Sequence, residues 1–272
     1  MPTIDAATNP ALANQIINDI MNNAPGESTE ATSFYVENAP ETVIDLPGGY
    51  ALPTGEVWTE AEVRELNGRD EEAIAKSSSL ANTLQMVLQR GVVRIGDVKV
   101  TEDILDSILA ADRDWLLINI YTSTFGQDVE FTPFCFTCGD RVSIVKNILD
   151  TIPVVRIDHG ASREFLVNYS KGVAKVTYPN GKTQREMLAA AEKTNAELST
   201  ILLRGCIMEL NDMPIMRESQ LLDLSIKDRR VIAEAIMNKT VGPQLQDVKI
   251  TCPDCNTELE APLSIAALFQ FS

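Results

Sequence analysis

Apolar positions recur at helical spacing in two stretches that end alike. Leu84, Val87 and Leu88 lead into Arg90–Gly91, and Leu198, Ile201 and Leu202 lead into Arg204–Gly205. Around them the pattern predicts helices over 69–75, 79–89, 101–109 and 112–121, with Thr101 as an N-cap and Gly91 as a C-terminal stop. In the second half it predicts helices over 183–193, 195–203, 218–224 and 227–238. Residues 46–50 read as a turn-rich entry, 57–66 as a strand or hairpin arm, and 142–152 as helical or extended. Alternation over Phe165–Tyr169 and Val173–Tyr178, with Lys171–Gly172 between, predicts a hairpin. Short β-like runs, 129–134 and 248–251, precede two Cys-x-x-Cys pairs, Cys135/Cys138 and Cys252/Cys255.

The punctuation repeats. Asn67–Gly68 answers Asn180–Gly181, Arg90–Gly91 answers Arg204–Gly205, Asp112–Arg113 answers Asp228–Arg229, and the first cysteine pair answers the second. The offset grows only from 113 to 117 positions along this series, as small loop insertions would make it. The expected architecture is α+β: tandem duplicated, mostly helical domains with short strands feeding a shared zinc-ribbon-like site of four cysteines. The expected division is an acidic arm over 1–45, a first repeat over 46–158 with the knuckle Cys135/Cys138, and a second over 159–272 with the knuckle Cys252/Cys255.

Cysteine chemistry sharpens this picture. A Cys-x-x-Cys turn places two thiolates on one side, and two such turns complete a tetrahedral zinc site. Gly139 and Asn256, each following a second cysteine, both tolerate the left-handed backbone that such a turn needs. The expectation is one structural zinc per chain, held by Cys135, Cys138, Cys252 and Cys255. Cys206 lies alone in an apolar stretch and reads as a core residue. Four cysteine ligands close the coordination sphere. The sole histidine, His159, lacks the His-x-Glu context of a deaminase, and no phosphate-binding glycine loop is present. The Asp112–Arg113–Asp114 cluster and its counterpart at Asp228 fit capping and helix pairing better than acid–base chemistry. The chain therefore reads as a non-enzyme.

Charge bears on partners. The 272 residues carry a net charge of −16, and ten acidic side chains precede the first cation, Arg64. Such a chain repels phosphate backbones, so no nucleic-acid partner is expected. No apolar run approaches membrane-spanning length, and no membrane partner or signal peptide is expected. Within the arm, Leu12, Ile16, Ile17 and Ile20 fall on one face of a short amphipathic helix suited to docking. Phe269 and Phe271, in the apolar C-terminus, are the other candidate partner-binding residues.

Val63–Arg64–Glu65–Leu66–Asn67–Gly68–Arg69–Asp70–Glu71–Glu72 resembles a segment of the T-even phage baseplate hub and hub-assembly proteins. The Pro47–Gly48–Gly49 entry, the Asp112–Arg113–Asp114 cluster, Gly126 and the Cys135/Cys138 knuckle follow in the order expected for that family, over 46–140. The resemblance implies a structural component of a phage tail baseplate, in the hub or tail-tip region, present in several copies beside other baseplate, hub or tail-tube proteins. It would reside in the virion, and in the host cytoplasm during assembly. The alternatives are a baseplate assembly chaperone that does not stay in the virion and a cellular zinc-ribbon adaptor.

Overall fold

The computed structural model describes residues 41–158, 160–239 and 241–269. The expected helix bearing Leu12, Ile16, Ile17 and Ile20, the residue His159 and the terminal Phe271 lie outside the described residues. Strand β1 (Thr42–Ala51) pairs antiparallel with β2 (Val57–Val63), and the register shifts between Asp45 and Tyr50. That irregularity absorbs Pro47–Gly48–Gly49, so the turn-rich entry is the bulged middle of a strand. Gly49 has φ of +70°, and a Cβ there would lie 2.8 Å from the Trp58 carbonyl oxygen.

Helix α1 (Gly68–Ala75) starts at Asn67. The Asn67 side chain accepts from the Arg69 and Asp70 N–H groups, and the Asp70 carboxylate accepts from the Asn67 N–H. Arg64 pairs with Asp70 over the same turn at 2.8 Å. Helix α2 (Leu80–Gly91), capped by Ser79, runs straight into β3 (Val92–Ile95), and β4 (Val98–Lys99) completes a sheet of order β1-β2-β3-β4. The helix ends at Gly91, as expected from the pattern, though without a left-handed residue there. Gly91 lets α2 approach the next helix, since a Cβ would lie 2.6 Å from Ile120 Cδ1. Helix α3 (Glu102–Ser107) is capped by Thr101, as expected. Helix α4 (Ala110–Phe125) is central: Leu116, Leu117, Ile118 and Ile120 are all buried.

Short elements follow: β5 (Asp128–Phe131), β6 (Phe134–Cys135), β7 (Asp140–Arg141), β8 (Ile144–Asn147), α5 (Ile148–Thr151) and β9 (Val154–Val155). A second series comes next: β10 (Glu164–Tyr169), β11 (Gly172–Thr177), α6 (Gly181–Ala189), α7 (Asn195–Cys206), β12 (Ile207–Leu210), β13 (Met213–Pro214), α8 (Ser219–Leu222) and α9 (Ile226–Asn238). The chain ends with β14 (Gly242–Pro243), β15 (Val248–Thr251), β16 (Glu258–Ala261) and α10 (Ile265–Leu268). The second sheet has the order β10-β11-β12-β13. Both series thus run hairpin, two helices, hairpin, two helices. Among the described residues helices make up 39% and strands 30%, a mixed α+β fold rather than the mostly helical one expected. The difference lies in β1 and in the short hairpins about the cysteines, where glycines and turns interrupt the alternation.

Two apolar clusters form. The second gathers Val167, Val176, Leu203, Cys206, Leu221 and Ile232 from the second series. The first joins β1–β3 and α1–α4 with Cys135, Val142, Ile250, Cys252, Leu259 and Phe269. The chain leaves the first cluster at β9 and returns at β14, and these two strands pair with each other. The segment after Val248 therefore packs in the first core, not with the series it follows.

The two series share a polar device. Asp112, buried on α4, accepts the Gly48 N–H at 2.7 Å, tying the helix to the β1–β2 hairpin. Asp228, buried on α9, accepts the Ser170 N–H at 2.9 Å, tying that helix to the β10–β11 turn. The neighbouring arginines match too. Arg113 donates to the Leu105 carbonyl at 2.9 Å and Arg229 to the Leu221 carbonyl at 3.2 Å. Arg113 also donates to Gln85 and Gln184, and Gln184 donates to Asp114, so one buried guanidinium links the two series through α6. Gly181 opens α6 there, where a Cβ would lie 2.1 Å from the Leu105 carbonyl oxygen.

The two aspartates differ in protonation. The Ser225 hydroxyl, with the N–H and hydroxyl of Ser170, holds Asp228 below its ordinary value. Burial drives Asp112 up to about 7, outweighing the Gly48 and Gly49 amides and the attraction of Arg163. Burial likewise raises Asp114 to about 6. A raised folded pKa means the folded state holds the extra proton between pH 4 and 7, so this stability is fully present at low pH and is lost as pH rises through 7. Asp112→Asn keeps the acceptor for Gly48 and removes the titration. Relative to wild type it should gain on the order of 2 kcal/mol or more from pH 4 to pH 8, since each pKa unit is worth about 1.4 kcal/mol. Urea denaturation of both proteins across that range, at fixed excess metal, checks this; a pH-independent difference contradicts it.

Candidate metal centre

Each cysteine pair sits on its own hairpin. In the first, Cys135 faces Asp140 across β6 and β7, and β5 pairs with β8 below it. The Gly139 N–H donates to the Cys135 carbonyl at 2.8 Å, and Gly139 has φ of +76°. In the second, β15 and β16 pair from Val248↔Ala261 to Thr251↔Glu258. The Asn256 N–H donates to the Cys252 carbonyl at 2.9 Å, and Asn256 has φ of +58°. The two turns therefore close alike, with the left-handed residue at the position read from the sequence.

The hairpins bring all four sulfurs together. The Sγ atoms of Cys135, Cys138, Cys252 and Cys255 lie within 4.8 Å of one another. Cys135 and Cys255 are 3.6 Å apart, and Cys138 and Cys252 are 3.8 Å apart. Sulfurs placed about 2.3 Å from a central ion at tetrahedral corners are separated by about 3.8 Å. A disulfide would need about 2.05 Å. The arrangement is a cage of free thiols that can hold a metal ion, and each close contact crosses from one hairpin to the other.

Burial divides the ligands by position in the motif. Cys135 and Cys252, first in each pair, are fully buried; Cys138 is exposed and Cys255 half-buried. The cage thus belongs to the first core through Cys135 and Cys252 and opens to solvent at Cys138. Electrostatics are uneven. The Thr257 hydroxyl, 3.1 Å from Cys255 Sγ, is the chief cause that holds the Cys255 thiol down at about 6. Cys138 is pushed above its ordinary value, first by its hydrogen bond with Cys255. A cation bound here would displace the thiol protons, since thiolates are the ligands.

The hydroxyls of Thr257 and Thr137 are 3.2 Å apart, one from each hairpin, so hydroxyl contacts also bridge the pair of turns. Sequence reading did not single out these threonines. The available signal was a hydroxyl residue inside one Cys-x-x-Cys and two places after the other. Cys206 lies in the second core, where burial pushes its thiol up to about 12, as a packed cysteine would be. Phe269, taken from sequence as a partner contact, is buried in the first core with its ring edge-on to Tyr121 at 5.9 Å. It is spent on the fold of its own chain. Comparison with protein-family models, with curated proteins and with solved structures found no match.

Titration of the reduced full chain with a thiophilic divalent cation should saturate at one equivalent. Cys135→Ser and Cys252→Ser should each abolish tight binding, whereas Cys206→Ser should retain it. Isothermal calorimetry with elemental analysis measures this; two equivalents, or retained binding in both knuckle variants, would contradict a shared site.

Proposed function

We propose that the chain is a structural component of a bacteriophage tail baseplate, in the hub or tail-tip region, and that the cysteine cage holds one structural zinc ion. The observation that carries the assembly reading is the resemblance over 46–140. Its best motif, from Val63 to Glu72, is also a folding device. Val63 is buried, Arg64 pairs with Asp70, and Asn67 and Asp70 cap α1. Gly48 and Asp112, from two further matched segments, hydrogen-bond to each other. The resemblance therefore rests on residues that build the scaffold.

Zinc is favoured by the donor set. Four thiolates at tetrahedral spacing suit a soft-tolerant ion with no geometric preference of its own, and four protein ligands leave no position open for substrate. We also infer tandem duplication. The shared order of elements, the paired Asp112/Asp228 and Arg113/Arg229 contacts and the near-constant sequence offset support it. The ion then joins the two copies at equivalent turns. The net charge of −16 suits protein neighbours better than nucleic acid.

Quantitative mass spectrometry of gradient-purified virions tests the assembly role. The account expects the chain at a fixed low copy number, in constant ratio to the other baseplate proteins. Its presence in infected cells and absence from virions would favour an assembly chaperone. Its occurrence in cells free of any phage tail genes would favour the cellular adaptor.

A further inference from the structure

Beside the cysteine cage, a groove of about 720 Å³ runs between two strand edges, lined by 130–134 and Phe136 on one side and by 258–262 on the other. Among the described residues, β5 pairs only with β8 and β16 only with β15, so each has an unpaired edge. Register shows which backbone groups face outward. The Ile148 N–H donates to the Gln127 carbonyl and the Val142 N–H to the Pro133 carbonyl, which makes those the hydrogen-bonded pairs of the first ladder. Alternation then leaves the backbone groups of Glu130 and Thr132 on the free edge. In the second ladder the Cys252 N–H donates to the Thr257 carbonyl, which leaves those of Glu258 and Glu260 free.

The side chains repeat one pattern on both edges. Phe131, Leu259 and Ala261 turn into the core, while Glu130, Glu258 and Glu260 are exposed. Glu258 pairs with Lys249 at 3.3 Å, both well exposed, and Ser143 donates to Glu130; among the described residues no lysine or arginine lines the groove. At its end Phe134 and the 90% exposed Phe136 stack edge to face, with centroids 5.1 Å apart.

We propose that this groove takes an extended segment of a partner protein, with basic and apolar residues in alternation, as a strand added between β5 and β16. Its backbone would pair with both free edges. Its apolar side chains would face Phe131 and Leu259, and its lysines or arginines would meet the glutamates on the outer face. The exposed Phe134–Phe136 pair offers an aromatic face to one cation at the end of the strand. The chain's own first 40 residues do not fit this description, since they contain no Lys or Arg. The chemistry of this occupant is the same whichever assembly the chain joins.

The test uses the metal-loaded full chain and a labelled peptide, acetyl-Lys-Val-Lys-Val-Lys-Val-Lys-amide, with two controls: Glu in place of Lys, and N-methylation of alternate amides. Fluorescence anisotropy should show saturable binding of the lysine peptide alone. Glu130→Lys with Glu260→Lys should weaken it by roughly tenfold or more, the scale of about 1.4 kcal/mol, and should admit the glutamate peptide. Circular dichroism and metal content verify that the double variant is folded. Hydrogen exchange on the unmodified chain should show protection at 130–132 and 258–260 when peptide is bound. No binding, binding that survives N-methylation, or protection elsewhere would overturn the proposal.

Discussion

The thiol cage is the constraint on which the arrangement of this chain depends. It fixes two turns 117 positions apart in sequence, and everything from Gly139 to Thr251 forms the loop between them. Closing such a loop carries a large entropic cost. The short hairpins on either side, β6–β7 and β15–β16, are too small to be stable alone. Two sources offset that cost. One is burial: Cys135 and Cys252 are part of the first core, beside Ile250 and Leu259. The other, on the zinc reading, is coordination, which in small zinc modules is worth about 10–16 kcal/mol. That is as large as the whole net stability of an ordinary domain, about 5–15 kcal/mol.

The second series of elements is held at three places along this loop. At its base β9 pairs with β14, so the chain leaves and re-enters the first core side by side. On its flank α6 meets α3 and α4 through Arg113, Gln184 and Gly181, and Arg185 pairs with Glu102 at 3.1 Å and with Asp106. Past that base, the cage joins the returning hairpin β15–β16 to the first core. Asp112 and Asp228 show how similar positions diverge. Both tie a helix to a hairpin, but Asp228 is ringed by serine donors, whereas Asp112 leans on backbone amides deep in the core. The result is one carboxylate held ionised and one held near neutral pH, from the same place in two similar series.

Much of the site was legible in the sequence because its chemistry is local. Cys-x-x-Cys spacing and the residues Gly139 and Asn256 each state a turn, and Thr101 and Phe165–Tyr169 marked elements near where they stand. What stayed hidden depends on tertiary neighbours. β1 was obscured because Pro47–Gly48–Gly49 reads as a turn, and it is tertiary contacts, pairing with β2, the Gly48 N–H to Asp112 and the Arg163 guanidinium on the Gly48 and Gly49 carbonyls, that hold it. Gly91 was legible as the end of its helix, but its second role, close approach to Ile120, has no local signature. Phe269 looked like a partner contact because an apolar terminus can serve either purpose, and Tyr121, which its ring meets edge-on, lies far away in sequence. The packing of 248–269 with the first core was likewise invisible, since periodicity says which face is apolar but not which core accepts it.

The central claim is that the four thiols bind one ion together, and X-ray absorption at the zinc edge on the purified, reduced full chain tests it most directly. The account predicts one zinc per chain with a single shell of four sulfur atoms at about 2.3 Å. Oxygen or nitrogen in that shell, fewer than four sulfurs, or reduced protein that takes up no zinc when zinc is in excess would contradict it.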